Sequence, residues 1–537
     1  MRSSVGVVSR FGSWLPLTLA AVSCSLGQSG IDPPHDEIFL PSGLAMDPAG
    51  DWLYIVNSNN DLRFNAGTLL PLDLGKAKSH RERTDWPDCT TSYFEGDHDP
   101  AAMAEDLARP CCVDLVSPHI LNCNGRAYAE ADATVELGSF AGATAVQPLD
   151  SDGTFRIFVL VRADPSVTFV DVKRPRGADG AAGAPQLRCT GPRDSTDRPT
   201  GHPFCDDHWK IRRPGGAEDL DNVLPEEPHN LTLDQERGIL YVGHLAVTVR
   251  KTIQGGGISV IDAHALKDPR AANAVSSVAH VVFPASSSQG VTSMTLSDLG
   301  AATELGTTGD PLDSNKVLYA VSRSGPDITG MVLLCQSEPG GCDPENPARD
   351  LTLIPGEQIK SSVFLPSGTD IRGFLLSPFR DPYRLYNPSE PDRPTQAYVL
   401  HRNTPEASAS ANPAALVVLD RKNGPNGKPT NQASAVLEIC NGPTQMEFHD
   451  AGRGKLLFIT CYEGGQIYVV DVRTLYVVAI IEAGHGPTSL TFSPIDKTVA
   501  FVADYADNNV AVIDLKPGSP TEYKVVQRLG FPHARTE

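Results

Sequence analysis

The sequence predicts an all-β protein: a seven-bladed β-propeller of four-stranded antiparallel blades, carrying two disulfide-containing insertions. Three observations carry this expectation. A five-residue apolar pattern with an aromatic in its second place recurs seven times. Each copy has matching strands and turn residues on either side. Gly (47) and Pro (44) are abundant and Met is scarce, which suits many short strands joined by turns rather than long helices.

The copies run Leu53 to Asn57, Ile157 to Val161, Leu240 to His244, Leu318 to Ser322, Ala397 to His401, Leu457 to Cys461 and Ala500 to Asp504. They place Tyr54, Phe158, Tyr241, Tyr319, Tyr398, Phe458 and Phe501 in one column, although aromatics are only 7% of the chain. Upstream lies a segment that often opens on Pro or Gly, as at Pro41 to Met46, Pro228 to Leu233, Gly442 to Met446 and Gly486 to Leu490. Turn residues such as Asp47-Pro48-Ala49-Gly50 follow it. Downstream is an apolar strand that commonly closes on Asp, as at Asp171, Asp262, Asp420, Asp471 and Asp514. A fourth strand follows in several repeats, for example Tyr476 to Ile481 and Tyr523 to Val526. Four antiparallel strands per unit, repeated radially, describe propeller blades. The middle strands are apolar on both faces, as a blade packed between two neighbours requires.

Two spacings are too long for one blade. Lys76 to Leu137 holds four Cys, and Lys173 to Leu224 is rich in Pro, Gly and charge and holds Cys189 and Cys205. Insertions with too little core of their own need disulfide staples. The expected plan is a signal peptide over residues 1–23, a lipid-anchored tether over 24–36 and the propeller over 37–532, with insertions at 76–137 and 173–224. The Gly177 to Pro185 run reads as a loop, and Asp150-Ser151-Asp152-Gly153, half of a calcium-loop pattern, reads as a turn between strands.

The start of the chain reads as an export signal: Arg2 and Arg10 precede a short apolar stretch from Phe11 to Ser23. That stretch is far below the ~20 apolar residues that span a bilayer. It ends in Leu19-Ala20-Ala21-Val22-Ser23-Cys24, which resembles a bacterial lipobox, although Ala21 stands where that motif usually carries Leu. The resemblance implies a lipid on Cys24; the plainer alternative is an ordinary signal peptide with an incidental Cys. Setting Cys24 aside leaves ten of the eleven Cys, an even number suited to disulfides in an oxidising compartment. Proximity suggests Cys189–Cys205, Cys335–Cys342 and Cys440–Cys461, with Cys89, Cys111, Cys112 and Cys123 pairing among themselves. A zinc cluster is the rival for the last four, but they lack C-x-x-C knuckles.

The closing stretch Ala500 to Asp514, with Gly486-Pro487 before it and Gly464 to Asp471 in the preceding repeat, resembles the YVTN-type propeller repeat of bacterial and archaeal surface proteins. The strong match covers roughly the last hundred residues, and weaker copies reach back to Phe39. The resemblance implies a seven-bladed disc in the cell envelope and no particular reaction. The long cystine-bearing insertions depart from the family.

In a propeller, the start of the first strand and the end of the second open onto one rim. The alignment therefore places Arg162, His229, His244, Arg323, His401, Arg402, His485 and Asp504 there as candidate ligand-binding residues, alongside Asp370 and Arg372. Arg forks suit carboxylate or phosphate, so an anionic ligand or acidic protein tail is the sharp expectation; a solvated polar rim is the plain one. His229, His244 and His485 also raise a metal at the channel mouth. No C-x-x-C-H, G-x-S-x-G, H-E-x-x-H or complete P-loop occurs, and the net charge of −20 argues against nucleic acid. The sequence thus points to a monomeric cell-envelope lipoprotein without a cofactor or a resident metal. It would serve as a binding or scaffolding module for an envelope protein, a glycan or an anionic ligand, touching the membrane only through the Cys24 lipid. The alternative is a propeller enzyme, lactonase-like or a metal-assisted hydrolase, that uses the rim His and Asp residues.

Overall fold

The computed structural model describes residues 31–89, 109–149, 153–174, 183–189, 203–212, 224–249, 252–263, 278–284, 289–297, 316–324, 327–335, 342–343, 347–361, 370–377, 396–402, 414–421 and 429–530. The signal peptide, Cys24, the Asp150 to Asp152 turn and most of the Gly177 to Pro185 run lie outside the described residues.

Seven antiparallel sheets follow one another along the chain, each with consecutive strands side by side. The innermost strands are Pro41–Met46, Ala141–Pro148, Pro228–Asp234, Gln289–Leu296, Asp370–Leu376, Pro443–His449 and Pro487–Phe492. Each contacts the next, and the first contacts the last, so the ring closes as a seven-bladed propeller. The second strands, such as Trp52–Asn57 and Leu456–Cys461, are buried from end to end. Their aromatic column is the reason: all seven rings are buried, none more than 4% exposed. Several reach the inner strand of the following blade, with Tyr319 4.8 Å from Phe374 and Phe458 5.2 Å from Phe492. Edge and tilted ring contacts of this kind add to the burial of two large apolar surfaces.

The insertions are woven into the blades rather than hung from them. Val135–Leu137, at the end of the first insertion, is the fourth strand of the first blade. Leu121–Cys123 pairs parallel with Lys524–Gly530, the outer strand of the seventh blade, and Cys111–Val113 pairs with Leu121–Cys123. In the second insertion, Gln186–Arg188 and Lys210–Arg212 both pair with Ser166–Lys173. Strands of three residues carry too little pattern to be read from sequence, and disulfides hold them. The pairs are Cys89–Cys112, Cys111–Cys123, Cys189–Cys205, Cys335–Cys342 and Cys440–Cys461. Adjacent Cys111 and Cys112 take different partners because successive side chains on a strand point to opposite faces. Five cystines fit an exported, oxidising compartment. Among the described residues, no helix is long and apolar enough to cross a membrane.

Candidate functional site

Every inner strand breaks register near its start, between Pro41 and Gly43, Ala141 and Thr144, Pro228 and Asn230, Val291 and Ser293, Ile371 and Gly373, Pro443 and Gln445, and Pro487 and Ser489. A bulge leaves one residue unpaired and re-aims its side chain. In four blades that residue is a hydroxyl that clips the next blade. Ser42 Oγ donates to Ala141 O at 2.7 Å and Thr292 Oγ1 to Ile371 O at 2.8 Å. Thr444 Oγ1 donates to Pro487 O at 3.3 Å, and Thr488 Oγ1 closes the ring on Pro41 O at 3.1 Å. The accepting residue in each case stands just before the bulge of the neighbouring blade.

The clip is missing in the second blade, whose bulge holds Gly142 and Ala143, and in the third and fifth. His229 and Arg372 occupy the bulges of the third and fifth and line a central channel cavity of about 590 Å³. His229 is half-buried and its Nδ1 has no hydrogen-bond partner. Burial, then the positive fields of Arg372, Arg162 and Arg323, pushes the imidazole down to about 3, so it is neutral. Arg372 binds Asp370 at 2.5 Å, while its Nε is buried without a partner. Arg162 pairs with Glu227 at 2.9 Å and Arg402 with Glu463 at 2.7 Å. Arg323 is exposed and has no acidic partner among the described residues. A neutral imidazole thus lies in the field of three guanidinium groups, of which Arg162 and Arg372 have acidic partners among the described residues and Arg323 has none. An anion is what such a cluster can accept, through charge-assisted and bidentate hydrogen bonds.

His229 and Arg372 thus share the channel wall, the charges of Arg162 and Arg323 also act on His229, and that of Arg402 acts on Arg372. The fold sets His244, His401 and Asp504 apart, in a column three residues after the aromatic of the second strands. Those side chains point to the connection from the preceding blade. Asn57 binds Glu37 O and Thr68 Oγ1 and accepts from Phe39 N. His244, fully buried, spends both ring nitrogens on Glu226 O and Ser259 Oγ, each at 2.9 Å. His401, also buried, has Ser361 Oγ 3.2 Å from its Nε2. Burial pushes both imidazoles down to about 4. In the sixth blade the same position is Cys461, bonded to Cys440. His485 lies on the connection entering the seventh blade, with its Nδ1 2.8 Å from Asp507 Oδ1. The three imidazoles raised as metal ligands are not gathered. Among the described residues, ligand atoms of three His, Cys, Asp or Glu group only at Cys335, Cys342 and Asp350, where the sulfurs form a disulfide.

Sequence reasoning missed Glu447 on the channel wall. Burial raises its carboxyl to about 7, and no hydrogen bond or ion pair holds it among the described residues. The signal was available in the repeat. The residues opposite the aromatic column are Ala45, Ala145, Thr232, Thr295, Leu375, Glu447 and Thr491, with Glu447 the one acid. A carboxyl of this kind exchanges its proton near neutrality.

No protein-family model matches the chain, and no curated protein resembles it in sequence. Among solved structures it is similar to hydrazine synthase of Kuenenia stuttgartiensis, at a TM-score of 0.44 and 12% identity over 93% of this chain and 99% of that one. It is also similar to the periplasmic gluconolactonase of Pseudomonas aeruginosa, at 0.40 and 12% over 83% and 86%. A putative 6-phosphogluconolactonase of Bacteroides fragilis gives 0.38 and 12% over 84% and 86%. Likenesses this distant carry no argument about activity.

Proposed function

We propose that this chain is an exported binding module that captures an anionic group, a carboxylate or phosphate, at the mouth of its propeller channel. One observation carries the reading: two of the seven bulges carry His229 and Arg372 where four others carry a stitching hydroxyl, and the charges of Arg162 and Arg323 act on His229 as well. The blades give up interblade hydrogen bonds there and gather cation instead. The test is titration calorimetry with citrate and with inorganic phosphate. Binding should weaken as salt rises, and Arg323→Ala and Arg372→Ala should each lower affinity about tenfold or more, as loss of a charged hydrogen bond does. Affinity unchanged in both variants would remove the site.

The address is part of the reading. The Leu19 to Cys24 stretch supports a lipid on Cys24 that holds the disc at the cell envelope, facing a protein or glycan partner. Metabolic labelling with a fatty-acid probe should mark the chain and spare Cys24→Ser; equal labelling of the two refutes the anchor.

Glu447 favours a second reading, a hydrolase in which the cationic mouth holds an anionic substrate and Glu447 moves a proton deeper in the channel. Turnover of a lactone panel that disappears in Glu447→Gln, with citrate affinity intact, would select it over simple capture.

A further inference from the structure

In the seventh blade, the column of Asn57, His244, His401 and Cys461 is continued by Asp504, and no hydrogen bond holds it. Asp504 is 0% exposed and neither carboxylate oxygen has a hydrogen-bond partner. Asn57, His244 and His401 fill this column elsewhere with groups able to donate, and Cys461 fills it with a disulfide. A carboxylate can only accept. Asn509 faces Asp504 directly across the strand pair; it is 2% exposed, and its Oδ1 is also a buried acceptor without a donor.

Asp507 adds to the deficit. One oxygen of Asp504 and one of Asp507 lie 2.5 and 2.9 Å from the same point, the place a Cβ on Gly484 would take. Asp507 itself is held by His485, through the backbone N at 2.7 Å and Nδ1 at 2.8 Å. The charged group that could neutralise the pair is Arg528, but its guanidinium sits 3.8 Å from Asp114 and makes no hydrogen bond to Asp504. Glu463, Glu482 and Arg528 line the adjoining rim cavity of about 540 Å³, with Glu463 paired to Arg402. Burial and the neighbouring Asp507 push the Asp504 carboxyl well above the usual carboxylate range, as an uncompensated charge must be pushed. Either a proton or a cation completes such a site.

We propose that the hairpin between the second and third strands of the seventh blade binds a divalent cation of the Ca²⁺ type through Asp504, Asp507 and Asn509 Oδ1. The donor set is all oxygen and carries two carboxylates, which suits a hard cation with flexible coordination. The cation ties together the two strands, and through Asp507 and His485 the connection entering the blade. It thereby does in this blade what an amide, an imidazole or a disulfide does in others.

The full chain, stripped with EDTA and returned to Ca²⁺ at pH 7.5, tests this by thermal unfolding and titration calorimetry. The proposal expects a single strong Ca²⁺ site and a Tm that rises by several degrees at millimolar Ca²⁺. Asp504→Asn should lose that response yet melt no lower than the stripped wild type, because its amide can donate as Asn57 does. Asp507→Asn should weaken Ca²⁺ at least tenfold, and it serves if Asp504→Asn does not fold. A wild-type Tm indifferent to Ca²⁺ overturns the proposal, as does a Ca²⁺ response that survives both substitutions. Stabilisation of the stripped chain by acid, with no Ca²⁺ response, would overturn it in favour of a shared proton.

Discussion

Glu447 shows how one buried carboxyl makes stability depend on pH. Its carboxyl faces the channel with no cation beside it, and burial raises it from 4.5 to about 7. Below pH 4.5 the acid is protonated in both folded and unfolded chains. Between 4.5 and 7 the unfolded chain ionises first, so stability falls as pH rises and levels off above about 7. The full effect is at most ~3 kcal/mol, lessened by water in the channel. Glu447→Gln should therefore be more stable than wild type in urea melts at pH 8.5 and equal to it at pH 4.5. The same difference at both pH values would contradict the account. His244 and His401 act in the opposite sense. Their folded values near 4 lie below the usual 6.5, so they cost stability as pH falls from 6.5 through 4.

The inner strand is the element on which stability and the proposed binding would compete. Its bulge was not legible in the sequence, because a bulge is an offset between paired strands and leaves no composition of its own. The Pro or Gly that opens these strands was legible, as at Pro41, Pro228 and Gly442, and so was the aromatic column. Burial alone forces that column, whatever the loops do. The third strands closing on Asp were also readable, and Val510 to Asp514 falls within Asn509–Asp514. The repeat alignment grouped Arg162, His229 and Arg323 with His244 and His401, and it had no means of separating the two sets. Those two share the same strand ends and differ only in pointing to a buried connection. If bulge hydroxyls are clips, restoring them should stabilise. His229→Thr and Arg372→Thr should each gain ~1 kcal/mol from a new hydrogen bond to the next blade and lose anion affinity. A variant that binds citrate as wild type does, or that is less stable, would count against the clip.

At the scale of the whole molecule, the ring has to join its last blade to its first. Here Thr488 clips Pro41, Leu40 N donates to Asn508 Oδ1 at 2.6 Å, and the first insertion adds Leu121–Cys123 to the outer edge of the seventh blade. The insertion leaves from the first blade, so it straps the two ends of the ring together and covers a sheet edge that would otherwise be open to pairing. A closed, strapped disc fixes the channel mouth, and the proposed anion site rests on side chains from the second to fifth blades converging there. The most direct test of that convergence is the His229 imidazole resonance, followed by NMR in histidine-labelled protein as citrate is added. The account predicts a saturable shift of His229, with its protonation moving up from about 3 as the anion offsets Arg162, Arg323 and Arg372, while His244 stays still. Citrate binding that leaves His229 unmoved would contradict it.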